Sequence, residues 1–135
     1  MITSADVERA IQGNLDVMPR IAAASHSDLA EAWTPSRRPT LTAPAVVRVV
    51  EALLDRQASE HWVQQWASFV MRGYLEPAGP PIRPIEIDYQ AEFEDEIVEV
   101  VSRLEQLGDL IDGTPDEPLL RALILPLKSP PRPGR

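Results

Sequence analysis

Few side chains in this 135-residue chain can do chemistry, and their spacing says which chemistry is open to them. The two histidines, His26 and His61, have no metal-ligand companion at i+3 or i+4. Ser59 lies two residues before His61, but side chains two apart on a helix do not face each other, so the pair is not a nucleophile and its base. Ser59 is better explained as a helix cap and His61 as a surface residue of the first turn. There is no cysteine, which removes thiolate nucleophiles, disulfides and cysteine metal sites together. The chain carries no catalytic constellation, and we expect a non-enzymatic protein without a cofactor.

The carboxylates are more numerous. Glu92, Glu96 and Glu99 recur at i, i+4 and i+7, which places them on one helix face with Asp95 at its border. Hard cations such as Mg²⁺ or Ca²⁺ take oxygen ligands of this kind, yet without a histidine or a second acidic helix a solvated face is the simpler account. Asp109, Asp112, Gly113, Asp116 and Glu117 have the composition of a calcium loop but not its spacing, because Gly113 is fifth from Asp109 where an EF-hand requires glycine sixth. Turn formation and helix capping account for these acids without a metal. The scattered glycines form no phosphate-binding loop. Arg37 and Arg38 can meet an anionic ligand, but a solvated connector is the better account of them. The 130–133 run Pro-Pro-Arg-Pro can adopt polyproline II for an aromatic groove, or be a plain disordered end.

The elements that must position these residues are helical. Thr3 or Ser4 caps a first helix bearing Val7, Ala10 and Ile11, and Gly13-Asn14 stops it. Leu15, Met18, Ile21 and Ala22 mark a second segment, with Pro19 in its first turn or at a kink. Ser27 caps a short helix ended by Pro35, with Trp33 at the core edge. The proline-marked stretch 34–43 reads as a loop. Thr42 or Ala43 then caps a helix with Pro44 near its first position and Val46, Val47, Val50, Leu53 and Leu54 on its apolar face. After a polar break at Asp55-Arg56-Gln57, Ser59 caps a helix in which Trp62, Val63, Trp66, Phe69 and Val70 repeat at three- and four-residue spacing up to Gly73. Trp62 and Trp66 are thus core residues before they are a ligand cage.

A proline-rich loop covers 75–84, followed by an extended piece at 85–87 with no visible partner strand. Asp88 is placed to cap the longest helix, 89–107, whose stripe of Phe93, Ile97, Val100, Val101, Leu104 and Leu107 ends at Gly108. Thr114 or Asp116 begins the last helix, with Leu119, Leu120, Leu123, Ile124 and Leu127 as core positions. The expected fold is all-α, a bundle of five to six helices in one domain over 1–127. Short N-terminal helices over 1–33 pack outside a main bundle at 44–125, and a flexible basic tail occupies 128–135. Neither a leader-like segment nor a run of the ~20 apolar residues a bilayer span needs is present, so a cytoplasmic location is expected and no membrane partner. Arginine almost entirely replaces lysine, a bias that goes with GC-rich bacterial genomes.

Net charge is −8, and it is unevenly distributed. Residues 85–117 contain twelve acids and one base, Arg103; residues 34–84 contain six arginines and four acids; from 118 onward there are four bases and no acid. The acidic region repels nucleic acid and attracts basic proteins through a field screened over ~8–10 Å. The expected function is therefore protein binding. Glu92, Asp95, Glu96, Glu99, Asp109, Asp112 and Asp116 are the candidate contact residues toward a basic protein partner. Immunity proteins and antitoxins that block cationic nucleases form one class of this size and charge. The alternatives are a subunit that homodimerises through a Val/Trp helix face, and a small-ligand or divalent-metal enzyme.

Overall fold

The structure, a computed structural model, describes residues 2–24, 28, 31, 39–72, 87–106 and 117–128. Within these the fold is all-α. The helices are α1 (Ser4–Ile11), α2 (Met18–Ala23), α3 (Ala43–Leu54), α4 (Glu60–Arg72), α5 (Glu94–Glu105) and α6 (Glu117–Lys128). A 3₁₀ turn precedes α2 at Leu15–Val17 and another precedes α5 at Ala91–Phe93. Asp28 and Glu31 are also helical, in the stretch where a short helix was expected. His26, Ser27, Trp33, Arg37, Arg38, the loop at 75–84, Leu107 and the tail beyond Lys128 lie outside the described residues.

Local chemistry fixes the first helix at both ends. Thr3 and Asp6 form a reciprocal capping box, in which Asp6 N–H donates to Thr3 Oγ1 and Thr3 N–H donates to Asp6 Oδ2. At the other end Gly13 N–H reaches the Ala10 carbonyl and Asn14 N–H the Arg9 carbonyl, the paired bonds of a Schellman motif. Gly13 holds φ 90°, which a side chain would oppose. Pro19 sits in the first turn of α2, where its missing N–H costs nothing, so it does not kink that helix.

These N-terminal helices do not pack outside the bundle. Val7, Ala10, Ile11, Val17, Met18 and Ile21 are buried in the same core as Val46, Val50, Trp66, Phe69 and Ile97. The reason is a single long-range bond as well as apolar area: Trp66 Nε1 donates to the Ala10 carbonyl at 2.6 Å, buried. An indole inside a core needs an acceptor for its N–H, and the Ala10 carbonyl, which also accepts the Gly13 N–H, has a second lone pair for it.

Two expectations about extended backbone change. Thr40–Leu41, within the connector read as a loop, forms a short parallel pair with Asp88–Tyr89. Asp88 N–H donates to the Pro39 carbonyl and Gln90 N–H to the Leu41 carbonyl, each at 2.9 Å. Asp88 is therefore a strand residue, not the cap of a helix starting at 89, and α5 begins only at Glu94. The paired strand is thus Asp88–Tyr89; of the extended piece expected at 85–87 only Ile87 is among the described residues, and it lies outside the strand.

The pairing also completes the start of α3. Ala43 N–H donates to Gln90 Oε1 at 2.9 Å, Pro44 has no N–H, and Ala45 N–H donates to Thr42 Oγ1 at 3.4 Å. Every donor of that first turn is thereby accounted for. Along α3 the buried residues are Ala43, Ala45, Val46, Val49, Val50 and Leu53; Val49 joins the expected stripe, while Val47 and Leu54 are half-buried. In α6 the buried residues are Leu120, Ile124 and Leu127, whereas Leu119, expected in the core, is 37% exposed. The helix continues through Pro126 to Lys128, whose Nζ lies 2.9 Å from Glu51 Oε2. Helical pairing α4 with α5, α3 with α6 and α5 with α6 closes the bundle.

Candidate functional site

Of the acidic residues of the 85–117 region in described backbone, Glu92, Glu94, Asp95, Glu96, Glu99 and Glu105 gather on α5 and the turn before it, while Asp88 lies in the short strand and Glu117 opens α6. The inner side of α5 is fixed by burial of Ile97, Val100, Val101 and Leu104, with Phe93 anchoring the preceding turn. Helical period then sends Asp95, Ser102 and Glu99 outward. Glu92, Glu94, Asp95 and Glu99 are exposed, and Glu96 is half-buried. The expected face of Glu92, Asp95, Glu96 and Glu99 is thus present as surface. Glu92 belongs to the 3₁₀ turn, so it does not continue the α5 spacing to Glu96 exactly as one α-helix would. Asp109, Asp112 and Asp116 lie outside the described residues.

Two members of this surface were not singled out from the sequence. Glu94 opens α5 and is exposed, and Val98 stands 42% exposed among the acids. Glu94 was hidden by the expectation that the helix began five residues earlier, which put it in the second turn off the Glu92 face. Val98 was hidden by its type, since a valine next to Ile97 reads as core.

Part of the acid density has a structural role. Phe93, at the N-cap of α5, offers no side-chain acceptor, and Glu94, Asp95 and Glu96 fill the first turn. Carboxylates there oppose the positive end of the helix dipole, worth ~0.3–1 kcal/mol each at the surface. At the opposite end, Glu105 Oε2 takes a hydrogen bond from Ser68 at 3.3 Å and an ion pair from Arg72, and Gln64 Nε2 donates to the Glu105 carbonyl at 3.0 Å. Glu105 therefore ties α5 to α4 and does not belong to the outward face. Tyr89, half-buried, directs its hydroxyl to the Val70 carbonyl at 3.5 Å, and burial raises its pKa.

The remaining candidates hold no assembled chemistry. Among the described residues, no three acidic or histidine side chains converge as a metal site. Ser59 Oγ accepts from Trp62 N–H at 3.2 Å, as a cap does, and exposed His61 meets the Trp62 ring edge-on with centroids 4.7 Å apart. Trp66 is fully buried and Trp62 half-buried, so most of the Val/Trp face is spent on the chain's own core. A shallow groove of about 580 Å³ beside α3 and the end of α6 is lined by Val47, Arg48, Glu51, Asp55, Leu127 and Lys128 among others. Three of its charges are engaged, Lys128 with Glu51 and Arg48 with the Gln12 carbonyl at 3.1 Å. No helix among the described residues is long and apolar enough to cross a membrane. No family model, curated protein or solved structure matches the chain.

Proposed function

We propose that the protein is a non-enzymatic binding protein whose acidic α5 surface engages a basic protein partner. The observation that carries this reading is the exposure of Glu92, Glu94, Asp95 and Glu99 on a helix whose inner side is locked into the core. Carboxylates held on a rigid element present their field in a fixed direction, which speeds encounter with a cation-rich surface and repels phosphate. Inhibitors of cationic toxins, such as immunity proteins and antitoxins, are one class that works through such a surface, and a cytoplasmic setting suits it.

The test is capture from extracts of the source cell by the immobilised protein at low and high salt. The wild type retains a cationic protein at low salt and releases it as salt is raised. Reversal of Glu92, Asp95, Glu96 and Glu99 to lysine abolishes retention, and the corresponding amides give an intermediate result. Retention that ignores both the substitutions and the salt sinks the proposal. Circular dichroism of each variant separates loss of binding from loss of α5, because Asp95 and Glu96 also serve the helix terminus.

A further inference from the structure

Nine of the twelve residues of α6 are apolar, but only Leu120, Ile124 and Leu127 are buried. The outer side of the helix carries Pro118, Leu119, Ala122, Leu125 and Pro126, all exposed, with Leu125 61% accessible. A helix apolar all round is one that is covered all round, and contiguous apolar surface of this kind marks contact with another macromolecule. Its charge narrows the choice. Arg121 is an exposed cation, Lys128 is paired with Glu51, and the single acid, Glu117, is the first residue of the helix. The neighbouring helix, α5, is the reverse: its outer face is anionic, with exposed Val98 among Glu94, Asp95 and Glu99.

We infer that the outer face of α6 is a homodimer interface, docking on the acidic outer face of α5 of a second copy. Because α5 and α6 pack side by side in one chain, a two-fold axis sets each α6 on the other copy's α5 and makes both contacts at once. Leu125 then meets the apolar spot at Val98, and Arg121 meets the surrounding carboxylates. Size requires the second helix. A twelve-residue helix is ~18 Å long and ~10 Å wide, which gives a strip of a few hundred Å², well below the ~800 Å² per partner of a stable interface. A purely basic partner complements α5 but not Arg121, and an anionic lipid surface is repelled by α5. A second copy complements both.

Sedimentation velocity on the full chain tests the inference. The wild type sediments as a dimer that dissociates on dilution, and Leu125→Glu sediments as a monomer with unchanged circular dichroism and Tm. If Leu125→Glu lowers Tm, Leu125→Gln, closer in volume and uncharged, is measured in its place and is also monomeric. Arg121→Glu raises the dimer Kd about tenfold at ~0.1 M salt and less at ~1 M, where the screening length falls from ~10 Å to ~3 Å. A wild type that is monomeric up to millimolar concentration overturns the inference, as does dimerisation indifferent to Leu125 or to Arg121. Leu125→Glu leaves every α5 carboxylate in place. The second copy and a basic partner compete for that face, so this monomer retains a basic partner at least as well as the wild type, and failure of the dimer and failure of the proposed partner binding are read separately.

Discussion

Arg56 and Gly13 occupy the same backbone position in two copies of one device, and the comparison shows what a single residue contributes. Each follows the C-cap of its helix at positive φ, 90° for Gly13 and 59° for Arg56. Behind Arg56, its N–H reaches the Leu53 carbonyl and Gln57 N–H the Ala52 carbonyl, the same bond pair that ends α1. A left-handed non-glycine residue costs ~1–2 kcal/mol, of which the added freedom of glycine in the unfolded chain returns ~0.4–1 kcal/mol. Arg56→Gly should therefore stabilise by about 0.5–1 kcal/mol, seen as a higher urea midpoint. Gly13 is less forgiving. A Cβ there would lie 2.6 Å from the Ala45 carbonyl oxygen and 3.3 Å from Val49 Cγ2, so Gly13→Ala adds overpacking to strain and should destabilise by about 2–4 kcal/mol. The turn at Gly13-Asn14 was legible from residue types, but the contact of α1 with α3 that makes glycine obligatory was not, because nothing local records it.

Asp6 is the buried charge among the described residues, and its pH dependence has a definite sign. The Thr3 N–H lowers its pKa most; burial opposes this, and the Thr3 hydroxyl, Arg20 and Arg9 lower it further, with the net shift downward. A carboxyl whose folded pKa lies below its unfolded value of ~3.9 stabilises the fold above that unfolded value. The contribution is lost as pH falls through the folded pKa. Asp6→Asn should therefore be less stable than the wild type near neutrality, and the gap in urea midpoint should close progressively below about pH 4. A gap that is constant down to pH 2 would show that packing, not charge, gives Asp6 its place.

At the scale of elements, the bundle is held by side chains that reach the ends of other helices. Trp66 on α4 serves the C-terminus of α1, and Gln90 before α5 serves the N-terminus of α3. Replacing Trp66 with Phe removes the bond to the Ala10 carbonyl and part of the indole volume. The expected loss is about 2 kcal/mol, a hydrogen bond of ~1 kcal/mol and a cavity term of similar size, checked by denaturant unfolding. Gln90→Ala leaves the Ala43 N–H without its acceptor and should cost about 1 kcal/mol, the ordinary value of a lost N-cap. Helix period placed α1, α3, α4, α5 and α6 well, because each has an apolar stripe to bury. The start of α5 was misplaced for the opposite reason. Asp88 has the chemistry of a cap, and only its long-range bond to Pro39 makes it a strand residue. Pro126 likewise reads as a stop, yet α6 passes through it: Ala122 and Pro126 are on the exposed side, where water can serve the carbonyl that the proline leaves without a donor.

At the scale of the whole molecule, charge was the property most legible in the sequence, since it needs only a count along the chain. What the count could not give is direction. Glu105, one of the twelve acids, turns inward to Arg72 and Ser68, while Glu94, Asp95 and Glu99 turn outward. Under the proposed function the outward set would govern how fast a basic partner arrives, and this yields a kinetic prediction distinct from retention. Steering by a rigid acidic face raises the association rate constant by about 10-fold or more at low ionic strength, and the gain falls steeply as salt rises. Stopped-flow association with the captured partner should show the amide set slowed at ~0.01 M salt, where the screening length is ~30 Å, and nearly equal to wild type at ~1 M. Dissociation rates should change less, because rim charges act mainly on encounter. If the amides instead raise the dissociation rate and leave association unchanged, these carboxylates are desolvated contacts at the centre of the interface. The acids would then be hot spots in direct contact with partner cations, and their exposure in the free chain would be the desolvation that binding has to overcome.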